Sequence, residues 1–165
     1  MLQNYRIEKN ICTSNAILFT TESRYRKDTF LFKKCANHIK EWISGKKNIL
    51  ILGNLNSYRN INHASDVSKA LLLISKQEKG DDYLVCSEYY FQVKKLIIIL
   101  YKIGGIELIE NTKENKFYCN NEIIIEFAKY NRTFEANLNG NCKKLKNIGW
   151  EPDYNIEKLF KDLIK

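Results

Sequence analysis

The chain has 165 residues, of which 44% are hydrophobic and 28% charged, with one Pro and 7 Gly. That is enough to bury one core, and it excludes a disordered, collagen-like or linker sequence. The net charge of +8 comes from 22 Lys and 5 Arg against 19 Asp+Glu. Readers of base edges and phosphates lean on Arg forks, and these lysines are scattered, so no nucleic-acid partner is expected. The longest apolar runs, 70–75 and 96–101, are far shorter than the ~20 residues of a membrane span. No charged-then-apolar leader follows Met1. The expectation is a single cytoplasmic domain over 1–165 with no membrane partner.

Five cysteines (Cys12, Cys35, Cys86, Cys119, Cys142) and two histidines (His38, His63) show no Cys-x-x-Cys spacing. They form no zinc ligand set and read as small buried hydrophobes in a reducing compartment.

In chain order, residues 12–19 end in an apolar run and predict a buried strand. Residues 20–28 are polar and read as a loop. From Thr29 the apolar positions Phe30, Phe32, Cys35, Ile39, Trp42 and Ile43 keep a helical period, with Asp28 or Thr29 as the cap and Gly45 as the stop. Residues 48–52 form a short strand turned by Gly53-Asn54, and 57–61 a second extended piece. Asn62 or His63 caps a helix to about Ser75, with Asp66 in its first turn. A strand over 83–86, an apolar helix over 91–103 closed by Gly104-Gly105, and a strand over 106–109 follow. Strands at 117–119 and 123–127 pair through Asn120-Asn121 as a hairpin. A short helix from Gly140 to Ile148 and a last helix over 156–164 complete the chain. The alternation of strands and helices defines an α/β class.

The usual catalytic signatures are missing. Tyr-x-x-x-Lys occurs at Tyr5/Lys9, Tyr90/Lys94 and Tyr154/Lys158, but 10 Tyr among so many Lys produce such pairs by chance. No Gly-x-Gly-x-x-Gly, Walker loop, Gly-x-Ser-x-Gly or His-Glu-x-x-His is present.

Four clusters carry information together. The first is Ile17-Leu18-Phe19-Thr20-Thr21-Glu22-Ser23 with Arg26, Phe30 and Lys34 after it. The second runs from Leu52-Gly53-Asn54-Leu55 through Arg59 to His63-Ala64-Ser65-Asp66. The third is Arg132-Thr133-Phe134-Glu135 and the fourth Gly149-Trp150-Glu151-Pro152. In this order they resemble the carboxy-terminal part of the GDP-mannose 4,6-dehydratase family of extended short-chain dehydrogenase/reductases. The likeness runs from Asn4 to the end of the chain.

The resemblance implies an α/β substrate-binding lobe that keeps remnants of the parallel Rossmann sheet, with the dinucleotide-binding amino-terminal half missing. It places Phe30, Lys34, Leu52, Gly53 and Asn54 along a GDP-sugar pocket and Arg59 at the diphosphate. Arg132 and Glu135 fall at the nucleoside end, and Arg26 on the cofactor side. Guanidinium forks suit a diphosphate and a carboxylate suits ribose hydroxyls. The family is a lyase that uses NADP to turn GDP-mannose into GDP-4-keto-6-deoxymannose, on the route to GDP-fucose. Its reaction oxidises C4, eliminates water and returns the hydride to C6.

The departures are equally specific. The family pattern has Asn-His at Thr20-Thr21, Pro at Arg24 and Gly at Lys27, and its catalytic Thr, Glu, Tyr and Lys have no counterparts here. The expectation is therefore a chain with no catalytic residues, which binds no NADP and lacks activity alone. It would act with a complementary amino-terminal half or as a homo-oligomer. The alternative is a non-catalytic GDP-sugar-binding module or a degenerate fragment.

Overall fold

The computed structural model describes residues 2–128 and 137–165. Its strands fall into three small sheets. β1 (Asn15–Leu18) pairs in parallel with β5 (Asp82–Val85). β2 (Thr20–Glu22) pairs in parallel with β4 (Tyr58–His63), which pairs antiparallel with β6 (Tyr90–Gln92). The third sheet has the order β3-β9-β8-β7, built from Leu50–Leu52, Glu122–Phe127, Lys116–Cys119 and Ile109–Asn111. The parallel β1–β5 pair bears out the predicted remnant of a central sheet, and the α/β class holds.

Two apolar cores organise these sheets. The larger packs α2 (Leu31–Ile43), α4 (Val93–Ile103) and α6 (Ile156–Ile164) around the third sheet, with Phe32, Ile39, Leu100, Ile125 and Phe160 buried at its centre. Burying side chains of this size is worth about 1.5–3 kcal/mol each. The smaller core sets α3 (Ala64–Ser75) and α5 (Lys143–Asn147) against β5, with Trp150 as its largest side chain. Trp150 donates its indole N–H to the Asp66 carbonyl at 3.0 Å. It is the packing anchor that its place before Pro152 suggests.

Several boundaries differ from the sequence expectation. Residues 12–19 do not form one strand: it ends at Leu18, and the polar stretch expected to be loop contains β2. Thr20, Thr21 and Glu22 are extended because β4 supplies their ladder partners Ile61, Asn62 and His63, which no local pattern encodes. The cap of α2 is Phe30, with no side-chain hydrogen bond. Asp28 instead accepts from the Asn37 amide at 2.8 Å. The strand expected at 106–109 sits at Ile109–Asn111, and an additional helix, α1, covers Leu2–Lys9. The hairpin stands, and both Asn120 and Asn121 have positive φ (50° and 65°). That is the two-residue turn whose twist matches its strands.

Candidate functional site

Two cavities lie along the stretch from Gly53 to Asn60. The first, of about 360 Å³, is lined by Gly53, Asn54 and Asn56 on one wall and by Lys94, Asn115 and Phe127 on the other. Backbone bonds hold these walls together. Lys94 N–H donates to the Leu55 carbonyl at 3.0 Å, Phe127 N–H to Asn115 at 3.1 Å, and Ala128 N–H to Leu52 at 2.8 Å. Asn54 Oδ1 accepts from the Asn56 N–H at 2.8 Å, an Asx turn that folds the loop tightly. Across the rim, Lys94 Nζ pairs with Glu110 at 2.6 Å.

The second cavity, of about 390 Å³, is lined by Ile17, Phe19, Thr20, Arg59, Asn60 and Leu138. β4 fixes its floor. The buried amide of Asn60 mates with the backbone of Ser87, accepting from its N–H at 2.8 Å and donating to its carbonyl at 2.7 Å. Arg59 donates from Nη1 to the Tyr58 carbonyl at 3.0 Å. The Tyr58 N–H in turn donates to Asn137 Oδ1 at 3.0 Å. Both cavities are of a size that holds part of a nucleotide sugar.

Three of the sequence-predicted residues line these hollows, and Arg26, Phe30, Lys34 and Leu52 line neither. Gly53 and Asn54 line the first, and Arg59 lines the second beside Thr20. Leu52 is buried just below the first. Lys34 reaches over β3 to donate to the Ile51 carbonyl at 3.2 Å. Phe30 lies under the Arg26 guanidinium, 3.6 Å from ring centroid to the guanidinium carbon. Arg132 and Glu135 lie outside the described residues. Lys94, Asn115 and Phe127 were not foreseen: they start a helix, make a turn and end a strand, and only sheet topology brings them to one wall.

Beside Arg26, Glu22 is almost fully buried, and its Oε2 stands 3.8 Å from Arg26 Nε, neither atom having a hydrogen-bond partner among the described residues. Burial pushes the Glu22 carboxyl up to about 7, against the pull of Arg26. His63 caps α3, its Nδ1 accepting from Ser65 N–H at 3.2 Å, so Nε2 carries the proton and donates to Asp162 at 3.1 Å. Both nitrogens are satisfied, as a helix-start residue requires. The His63 ring also stacks on Tyr154, with centroids 3.5 Å apart.

The starts of α2 and α3 offer no pyrophosphate site for the NADP of the family. A dinucleotide pyrophosphate sits on glycine-spaced N–H groups at a helix start. Yet α2 opens on Phe30 and α3 on His63, and Arg26 is engaged with Phe30 and Glu22. Among the described residues no three His, Cys, Asp or Glu gather to hold a metal.

Solved structures share this fold. RMD from Pseudomonas aeruginosa complexed with NADPH superposes with a TM-score of 0.77 at 21% identity, over 98% of this chain and 49% of that one. A UDP-glucose 4-epimerase from Thermotoga maritima, solved with UDP-glucose, gives 0.69 at 16% identity, over 99% of this chain and 48% of that one. The α/β architecture is that of the extended short-chain dehydrogenase/reductases. The family model described as GDP-mannose 4,6 dehydratase matches residues 1–163, and the chain belongs to that family. GDP-mannose 4,6 dehydratase 1 of Arabidopsis thaliana is 30% identical over 98% of this chain and 42% of its own length. The Homo sapiens GDP-mannose 4,6 dehydratase is 24% identical over 98% of this chain and 45% of its own. The chain thus spans less than half the length of these relatives.

Proposed function

We propose that this chain is a GDP-sugar-binding lobe, with the diphosphate held by Arg59 in the second cavity and the nucleotide running toward Gly53 and Asn54 in the first. The observation that carries this reading is that one short stretch of chain reaches both hollows, Gly53–Asn56 lining the first and Tyr58–Asn60 the second. A guanidinium fork on a phosphate contributes roughly 1.5–3 kcal/mol before ordering costs. Arg132 and Glu135 are assigned to the nucleoside end on the family pattern alone.

Dehydration of GDP-mannose is assigned to a complete two-lobed protein of this kind, in which this chain supplies the substrate side. Support comes from the β1 edge. Among the described residues β1 has β5 as its one strand partner, and Ile17 and Leu18 are half exposed there. A parallel sheet is normally covered on both faces and flanked by several strands. A complementary amino-terminal half adding a strand would cover that edge, carrying the NADP and the catalytic residues.

Calorimetric titration tests the binding claim. GDP-mannose is expected to bind, and Arg59→Ala to weaken it at least tenfold, while UDP-glucose binds more weakly. No heat at millimolar GDP-mannose overturns the reading.

A further inference from the structure

We infer that Arg24 and Asp162 form a clamp that sets the 23–30 loop, making Arg24 a positioning residue for the ligand groups that loop carries. This rests on the sugar-nucleotide reading above only for which ligand feels the clamp. The loop consists of two consecutive turns. Arg26 N–H donates to the Ser23 carbonyl at 2.9 Å, and Phe30 N–H to the Lys27 carbonyl at 3.0 Å, before Lys34 N–H closes onto Phe30 at 2.8 Å to start α2. Arg26, Phe30 and Lys34 therefore take their places from how the first turn is aimed.

Asp162 gives that turn a dense long-range anchor. Asp162, buried on α6, accepts from Arg24 N–H at 3.0 Å and from Arg24 Nε at 2.7 Å. Arg24 Nη2 also lies 2.5 Å from Oδ1, and His63 Nε2 donates from the far side at 3.1 Å. One carboxylate thus ties the turn, the end of β4 and the last helix together. Burial alone would raise its pKa, but the Arg24 N–H, His63 and the Arg24 guanidinium outweigh that and hold it at about 2. The clamp is charged at every physiological pH.

The position of Arg24 explains why a clamp is needed. It is the second residue of the Ser23–Arg26 turn, the site where a proline ring presets φ without help from elsewhere. With arginine the backbone lacks that built-in stiffness, and the ion pair to Asp162 supplies it from outside.

The test separates the fork from the charge. Arg24→Ala removes the guanidinium and keeps the N–H that donates to Asp162. Exchange of the amides of residues 23–30, read by hydrogen–deuterium mass spectrometry, is expected to speed up at least tenfold in Arg24→Ala. GDP-mannose affinity should fall about tenfold in the same variant. Arg24→Lys, which keeps charge and N–H but loses the fork, should fall between wild type and alanine and guards against an alanine variant that does not fold. Unchanged loop exchange in Arg24→Ala, or in Arg24→Lys where the alanine variant does not fold, overturns the clamp. A wild-type chain that binds no GDP-mannose overturns the function reading, and the exchange measurement still decides the clamp.

Discussion

His38 and Tyr101 face each other across the larger core, the tyrosine O–H donating to His38 Nδ1 at 2.7 Å while His38 Nε2–H donates to the Asn48 carbonyl at 2.7 Å. The imidazole is locked neutral, and burial lowers its pKa below the ordinary 6.5, against smaller opposing pulls from the Asn48 carbonyl and Glu41. The unfolded chain therefore takes up its proton first. Stability from this residue is complete above about pH 6.5 and drains as pH falls below it. In a Glu22→Gln background, which removes the opposing titration of that carboxyl, urea midpoints should drop from pH 7.5 to pH 5. Tyr101→Phe, which strands the Nδ1 acceptor, should cost about 1–3 kcal/mol at pH 7.5.

Glu22 has the opposite sign. Its folded value of about 7 lies above the ordinary 4.5, so the folded state holds a proton that the unfolded state has already lost. Its penalty is absent below pH 4.5, grows between 4.5 and 7, and stays constant above. Glu22→Gln should stabilise the fold at pH 8 by up to about 3 kcal/mol and leave it unchanged at pH 4. Urea titrations at the two pH values check it, and equal shifts at both would contradict the burial argument.

Asp66 reads from the sequence as a first-turn carboxylate, which it is, but its main work is at a distance. It accepts the backbone N–H groups of Asp153 at 2.9 Å and Tyr154 at 3.1 Å, while its own carbonyl takes the Trp150 indole. Asp66→Ala should cost about 1–3 kcal/mol by leaving two part-buried donors without their acceptor. Asp66→Asn, which keeps an acceptor oxygen, should cost less. Thermal unfolding of the two variants measures the difference.

The thiols divide cleanly. Cys12 is exposed, whereas Cys35, Cys86, Cys119 and Cys142 are buried. Burial pushes Cys35 and Cys86 up to about 12, leaving almost no thiolate. A disulfide reagent on the folded chain should consume one thiol quickly, and Cys12→Ser should abolish that fast phase.

What the sequence made legible follows the range of the interactions. α2, α3, α4 and α6 are visible because their apolar faces repeat within a few residues, and the Asn120-Asn121 hairpin because its turn chemistry is local. β2 is polar and exists through pairing with β4, so no window around Thr20–Glu22 reveals it. The same holds for the site. Gly53, Asn54 and Arg59 belong to one linear motif and are readable in order. Lys94, Asn115 and Asp162 reach their positions only through the fold, and their residue types alone carry no signal.

A crystal structure of the chain soaked with GDP-mannose tests the central claim most directly. The account predicts density for the pyrophosphate within hydrogen-bonding distance of the Arg59 guanidinium, with the nucleotide extending toward Gly53 and Asn54. A nucleotide bound away from both cavities, or phosphates that leave Arg59 untouched, would contradict it.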